Sequence, residues 1–293
     1  MKVKVVGTGL TKFGELWNKS LLDLAQEASL EAIRESGLTI NQIEATFVAN
    51  MIHGKLSGQD HLGALVASSL GIKGGSFRIE GACASGGLAV HLAIQSLLAG
   101  TYKNVLVVGV EKMTDVPTSD IATALMGAGS EDERKAGLTF PALYALMAKA
   151  HMREFGTTRK HMANVSVKNH YHASLNDKAQ FPYEVTMEKI LESPVISTPF
   201  TLFDVSPISD GAGAVVLSSQ MRSGAYISGS AVATDTVDLA SRKSLLEIAA
   251  TKDASKKALK QAGVDIQDIK VAEVHDCFTI AEILAMEDLG FCK

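Results

Sequence analysis

The chain has 293 residues, enough for one large core or two moderate ones. Apolar residues make up 46% and charged residues 20%, and the net charge of −4 argues against nucleic acid or an acidic membrane as the main partner. No run approaches the roughly 18 consecutive apolar residues of a membrane span, and three cysteines in this length point to a reducing, cytoplasmic setting rather than a disulfide framework.

In chain order, "MKVKVVGTGL" is too short for a signal peptide and is read as a first strand ending in a glycine turn. A helix follows, capped by Ser20, with Asp23 at its third position and Leu21, Leu24, Ala25, Ala28, Ala32 and Ile33 on one apolar stripe. Gly37 stops it, and "EATFVAN" is the next strand. The run "GACASGG" around Cys83 marks a turn from an extended segment into a helix. Leu88 to Leu98 are apolar on nearly every face, so this helix is expected to be buried on most sides. "NVLVVGV", residues 104–110, is another strand.

A long excursion runs from about Met113 to Thr201 and carries its own helices. One has Pro141 at its first helical position, a stripe of Leu143, Leu146, Met147 and Ala150, and Gly156 as its stop. A second begins at Thr158, and a third begins at Thr186 and ends before Pro194. "SPISDGAGAVVLSS" then reads as an Asp-Gly turn feeding a buried strand. Strands alternating with helices predict an α/β fold.

Residues 28–48 align without gaps on residues 254–274, with Ala, Ser, Ala, Gly, Ile, Ile and Val coinciding. Each copy is preceded by a candidate strand, "KVKVVGTG" or "AYISGSAV". The chain is therefore expected to hold two similar α/β halves. The offset of the repeat places a counterpart of Cys83 beyond residue 293, so the second half is expected to be incomplete.

Three residues could carry chemistry. Cys83 would sit over the positive end of a helix, which lowers a thiol pKa, unless it is a small residue filling a turn. His275 and Cys277 follow the repeated strand, where α/β sheets gather catalytic groups; the alternative is a buried thiol beside a His bonded to backbone. His170 and His172 lack zinc-ligand spacing and are read as surface or substrate-facing groups, and His53 and His61 as loop residues. Gly7-x-Gly9 lacks the third glycine and the acidic residue of a dinucleotide site.

Taken together, "GACASGG", "SPISDGAGAVVL" and "EVHDCF" resemble the thiolase superfamily, with its two α/β halves, mixed sheets, helices on both faces and buried central helices. "GTGLTKFGELWNKSLLDLAQEA" and "GLTFPALYALMAKAHM" resemble its archaeal acetyl-CoA acetyltransferase and sterol-carrier-protein-2 branches. The resemblance implies an N-terminal half over 1–219, with a helical loop domain inserted at about 113–200, and a truncated C-terminal half over 220–293. It implies Claisen condensation of two acyl-CoA thioesters, or the reverse thiolysis, with no metal and no cofactor beyond coenzyme A thioesters as substrates. Cys83 would carry the acyl group, His275 would serve an oxyanion hole, Cys277 would act as acid and base, and Met147 would border the acyl pocket. Relatives carry a Gly-His-Pro loop whose His activates the nucleophile, and this chain shows none. A non-catalytic or split-enzyme subunit and a β-ketoacyl synthase are the alternatives, with "EVHDCF" against the latter. Implied partners are coenzyme A and acyl-CoA, a second copy in a dimer or tetramer, a complementary C-terminal chain, a hydroxymethylglutaryl-CoA synthase and a small acyl-CoA-binding scaffold protein.

Overall fold

The computed structural model describes residues 3–222 and 224–292, so Met1 and Lys2 of the first expected strand lie outside the described residues. The chain begins with β1 (Lys4–Leu10), α1 (Leu21–Ser36), β2 (Ala45–Ala49), α2 (His53–Ser57), α3 (Leu62–Leu70) and β3 (Gly75–Ile79). Next come α4 (Ser85–Leu98), β4 (Asn104–Glu111), α5 (Thr118–Leu125), α6 (Glu131–Lys135), α7 (Phe140–Phe155), α8 (Arg159–Ser174) and α9 (Met187–Leu191). Then follow β5 (Val195–Ser197), β6 (Phe200–Thr201), β7 (Gly211–Ser218), β8 (Ala225–Tyr226), α10 (Ala249–Ala262) and α11 (Thr279–Leu289). They form two compact units. The first combines the residues up to Ala124 with Ile208–Ser230, and the second combines Leu125–Pro207 with the residues from Ala231 onward.

The first unit is built on a mixed six-stranded sheet in the order β3-β2-β4-β7-β1-β8. β3, β2 and β4 are parallel, while β7 runs antiparallel to both β4 and β1. Alternation along β4 sends Leu106, Val108 and Val110 toward α1 and α3, and Val105 and Val107 toward α4. Helices thus cover both faces, as an α/β fold requires. α1 has the expected capping box between Ser20 and Asp23, and Gly37 closes it at φ 70°.

Two expectations change in this unit. β1 runs through Gly7 and Gly9 instead of stopping in a glycine turn. A Cβ at Gly7 would lie 2.1 Å from the Ala32 carbonyl oxygen, and one at Gly9 would lie 2.0 Å from that of Ala28. Bare backbone is what lets α1 rest directly on the strand. α4 is also not enclosed. It buries Ala89, Ala93, Ile94 and Leu97 against the sheet, but Leu92 and Leu98 remain 42% and 41% exposed on its other side.

In the second unit, α7 begins at the Thr139 cap with Pro141 in its first turn and stops at Gly156, φ 71°. Its buried face is Leu143, Ala145, Met147, Ala148 and His151, so Leu146 of the expected stripe points outward. α8 and α9 start after side-chain caps by Thr158 and Thr186.

The internal repeat is kept locally and lost at the level of the sheet. α10 ends at Gly263, φ 70°, as α1 ends at Gly37. The turn Ile266–Asp268 repeats Ile40–Gln42, each with a capping box. β2 is hydrogen-bonded on both sides, whereas its counterpart at residues 271–275 pairs with no strand among the described residues. Of "AYISGSAV" only Ala225–Tyr226 forms a strand among the described residues, with Ile227 N–H adding one bond to the Val3 carbonyl. A helix and its cap are satisfied within a short segment, but a strand exists only through its neighbours. No helix among the described residues is long and apolar enough to cross a membrane.

Candidate active site

Cys83 lies where the sequence places it, between an extended segment and a helix. β3 ends at Ile79, Ala82–Ala84 form a 3-10 turn, and α4 begins at Ser85. The turn is braced by its own side chains. Ala82 N–H donates to Glu80 Oε1 at 2.7 Å, Gly81 N–H donates to Ser85 Oγ at 3.0 Å, and that hydroxyl donates to the Ala82 carbonyl at 2.6 Å. Ala82 adopts φ 51°, a left-handed conformation costly for a residue with a Cβ. A Cβ at Gly86 or Gly87 would meet no atom within 4 Å, so these glycines leave the mouth of the turn open rather than serving close backbone packing.

The electrostatics of the thiol run against the expectation. Cys83 is open to solvent, yet the protein around the turn withdraws it from bulk water, and this burial pushes its pKa above the ordinary thiol value. Its own backbone N–H pulls the other way and is outweighed. The helix N-terminus therefore does not depress the thiol pKa as the sequence leads one to expect.

In the second unit His275 and Asp276 are exposed and Cys277 is half-buried at the start of α11. Backbone and side chains fix this segment. Ser206 N–H donates to the Cys277 carbonyl at 3.0 Å, and Phe278 forms a bridge with Val205. The Phe278 ring stacks with Tyr144 and Phe200, with centroids 4.4 and 5.5 Å away. Thr279 Oγ1 donates to the buried Asp204 carboxylate at 2.8 Å.

Cys277 and Met147 pack in the same apolar cluster, together with Phe278. Met147 also lines a cavity of about 80 Å³ with Phe140, Leu143, Tyr144, Leu239 and Arg242. The Arg242 guanidinium reaches Met147 Sδ at 3.9 Å. The second unit thus brings together Cys277 and Met147. Cys83 belongs to the first unit.

Sequence reading missed the polar residues that hold the His275–Cys277 segment. Asn169 on α8 donates to Asp276 Oδ2 at 2.5 Å and to Glu282 Oε2 at 2.9 Å. Lys168 pairs with Glu282 at 3.0 Å. The only sequence clue was polarity on a helix whose neighbouring His170 and His172 are read as surface or substrate-facing groups. His170 in fact bonds the Tyr183 carbonyl at 3.0 Å and packs beside the Tyr183 and Phe203 rings. His53 opens α2 rather than lying in a loop, and burial lowers its pKa, with Arg78 adding to the effect.

Comparison with known families decides what this arrangement belongs to. Residues 3–221 match the model of the thiolase N-terminal domain, and residues 231–293 match the thiolase C-terminal domain-like model. The chain is a member of the thiolase family. It is 45% identical to an acetyl-CoA acetyltransferase of Methanothermobacter thermautotrophicus, over 99% of this chain and 78% of that protein. The corresponding protein of Methanocaldococcus jannaschii is 42% identical over 99% and 76%. Among solved structures, the Ltp2-ChsH2(DUF35) aldolase matches with a TM-score of 0.85 at 24% identity, covering 99% of this chain and 77% of that one. An acetyl-CoA acetyltransferase from Syntrophomonas wolfei gives 0.77 at 20% identity, over 98% and 82%. These structural matches show the thiolase fold, and the two archaeal relatives support a thiolase-type acyltransferase activity.

Proposed function

We propose that this thiolase joins two acetyl-CoA or acyl-CoA molecules into a 3-oxoacyl-CoA, or runs the reverse thiolysis, with Cys83 as the acyl carrier. The observation supporting the reading is a solvent-open thiol on a braced strand–turn–helix in a chain of this family. In the first step the Cys83 thiolate attacks the thioester carbonyl, the carbon–sulfur bond to coenzyme A breaks, and the released coenzyme A thiolate takes a proton. This splits one difficult displacement into two easier ones. In the second step Cys277 removes a proton alpha to the second thioester, and His275 donates to the enolate oxygen. The enolate carbon then attacks the acyl carbonyl on Cys83, and the Cys83 thiolate leaves.

The raised Cys83 pKa requires a base for the first step, and no side chain among the described residues hydrogen-bonds its Sγ. We assign that base to a Gly-His-Pro segment supplied with a complementary C-terminal piece. The segment at 271–275, which pairs with no strand among the described residues, supports this, since its counterpart β2 has a parallel neighbour on each side. Met147 is assigned to the acyl pocket on the strength of its cavity and its packing with Cys277. Residues 1–219 and 220–293 are assigned to the two thiolase halves.

The test is peptide mass mapping after exposure to acetyl-CoA across a range of pH. Acetyl should appear on Cys83 and be abolished by Cys83→Ala. Its rate should climb with pH beyond the ordinary thiol value of 9.0, because burial holds the proton on. Acetyl on Cys292 alone would count against the assignment, and a midpoint below that value would remove the need for a separate base.

A further inference from the structure

Cys83 is aimed by whatever holds the end of β3, because only Glu80, Gly81 and Ala82 separate it from Ile79. Among the described residues β3 is an edge strand and pairs with β2 alone. The bonds within the turn join its residues to one another and leave its attachment to the sheet to other groups.

That attachment converges on Asn50, the residue after β2. Its N–H donates to the Ile79 carbonyl at 3.2 Å. Its side chain is buried, with every amide position used. Nδ2 donates to the Val110 carbonyl at 2.8 Å and to Glu111 Oε1 at 2.9 Å. Oδ1 accepts from His53 N–H and from Arg78 Nη2, each at 3.2 Å. Arg78 lies on β3 beside Ile79, and Glu111 ends β4. Glu111 Oε2 also accepts the N–H groups of Met51 and Ile52 at 3.0 and 3.1 Å. One side chain therefore ties the carboxyl ends of β2, β3 and β4 together, using two donors and two acceptor lone pairs that only an amide supplies.

We propose that Asn50 is a positioning residue for the acyl-transfer step, locking the end of β3 to the sheet so that the Cys83 thiol meets the face of the thioester carbonyl. The proposal rests on Cys83 being the acyl carrier. A displaced nucleophile loses rate while substrate affinity is kept, because binding and alignment draw on different contacts.

Asn50→Asp replaces Nδ2 with an oxygen facing the Val110 carbonyl and the Glu111 carboxylate, so acceptors meet acceptors. Adding Glu111→Gln returns a donor to that pair while its remaining oxygen still accepts from Met51 and Ile52. The full chain is assayed at about pH 9, where a larger share of the thiol is ionised, for Cys83 acetylation by acetyl-CoA and for alkylation by iodoacetamide. Asn50→Asp should lower the maximal acetylation rate by about 10–100-fold, with the half-saturating acetyl-CoA concentration changed less than about twofold. Alkylation, which needs exposure more than alignment, should change far less. The double variant should recover most of the acetylation rate. An unchanged rate in Asn50→Asp, no recovery in the double variant, or parallel losses in acetylation and alkylation would overturn the positioning role while leaving Cys83 as carrier. A wild-type chain that gains no acetyl at Cys83 would instead overturn the carrier assignment, and this role with it.

Discussion

Asp210 shows how much a single buried carboxylate can organise. It is fully buried and accepts from Lys112 Nζ at 2.8 Å, Thr114 Oγ1 at 2.6 Å, and the N–H groups of Met113, Thr114 and Leu16 at 2.7, 3.0 and 3.0 Å. Burial pushes its pKa up, but the bonds from Lys112 and Thr114 more than compensate and bring it down to about 2. A depressed carboxylate stabilises the fold above its unfolded pKa and loses that contribution as pH falls toward its folded value. Asp210→Asn should therefore destabilise the chain by about 3 kcal/mol near neutral pH, since it leaves the buried Lys112 short of a partner. The gap to wild type should narrow as pH falls from near 4 to near 2. Urea unfolding at several pH values measures it, and a gap that stays constant would mean the carboxylate's charge is not what matters. The sequence offered "SDGA" here as a turn, and nothing in periodicity distinguishes a turn Asp from one that anchors three chain segments.

At the scale of elements, what could be read in advance is what is settled locally. Caps at Ser20, Thr158 and Thr186 and stops at Gly37, Gly156 and Gly263 need only a few neighbouring residues. Cys83, His275, Cys277 and Met147 were visible through motif and family resemblance, not through spacing. Asn50 and Asn169 were not visible, because their partners lie on distant segments. The glycines of β1 were misread for a related reason: their cause is a helix lying across them. Gly7→Ala is the direct check. The added methyl would meet the Ala32 carbonyl at 2.1 Å, so α1 must lift from the sheet. A loss of about 1–3 kcal/mol is expected from overpacking, read as a lower urea midpoint. No change would mean that α1 can shift freely.

For the whole molecule, the exposed apolar segment at residues 271–275 matters most. Val271 is 80% exposed, and the backbone around it lacks ladder partners among the described residues. Such a segment templates pairing with other chains. The protein alone is expected to self-associate with rising concentration, and Val271→Lys should reduce this without lowering the melting temperature. Light scattering across a dilution series tests it. Equal association in both proteins would move the sticky surface elsewhere, with the open faces of α4 next in line.

The register between β4 and β7 has a consequence for how this architecture can vary. Glu111 lies directly opposite Gly211, so the segment between them, residues 112–210, leaves and rejoins the sheet at two adjacent points of one ladder. The two ends of that segment are as close as those of a hairpin. Lineages could lengthen, shorten or exchange it while the parent sheet kept every strand in register, much as a tool head is changed on a fixed handle. Side chains borne by that segment can then vary while the strand ends that present Cys83 stay under a separate constraint.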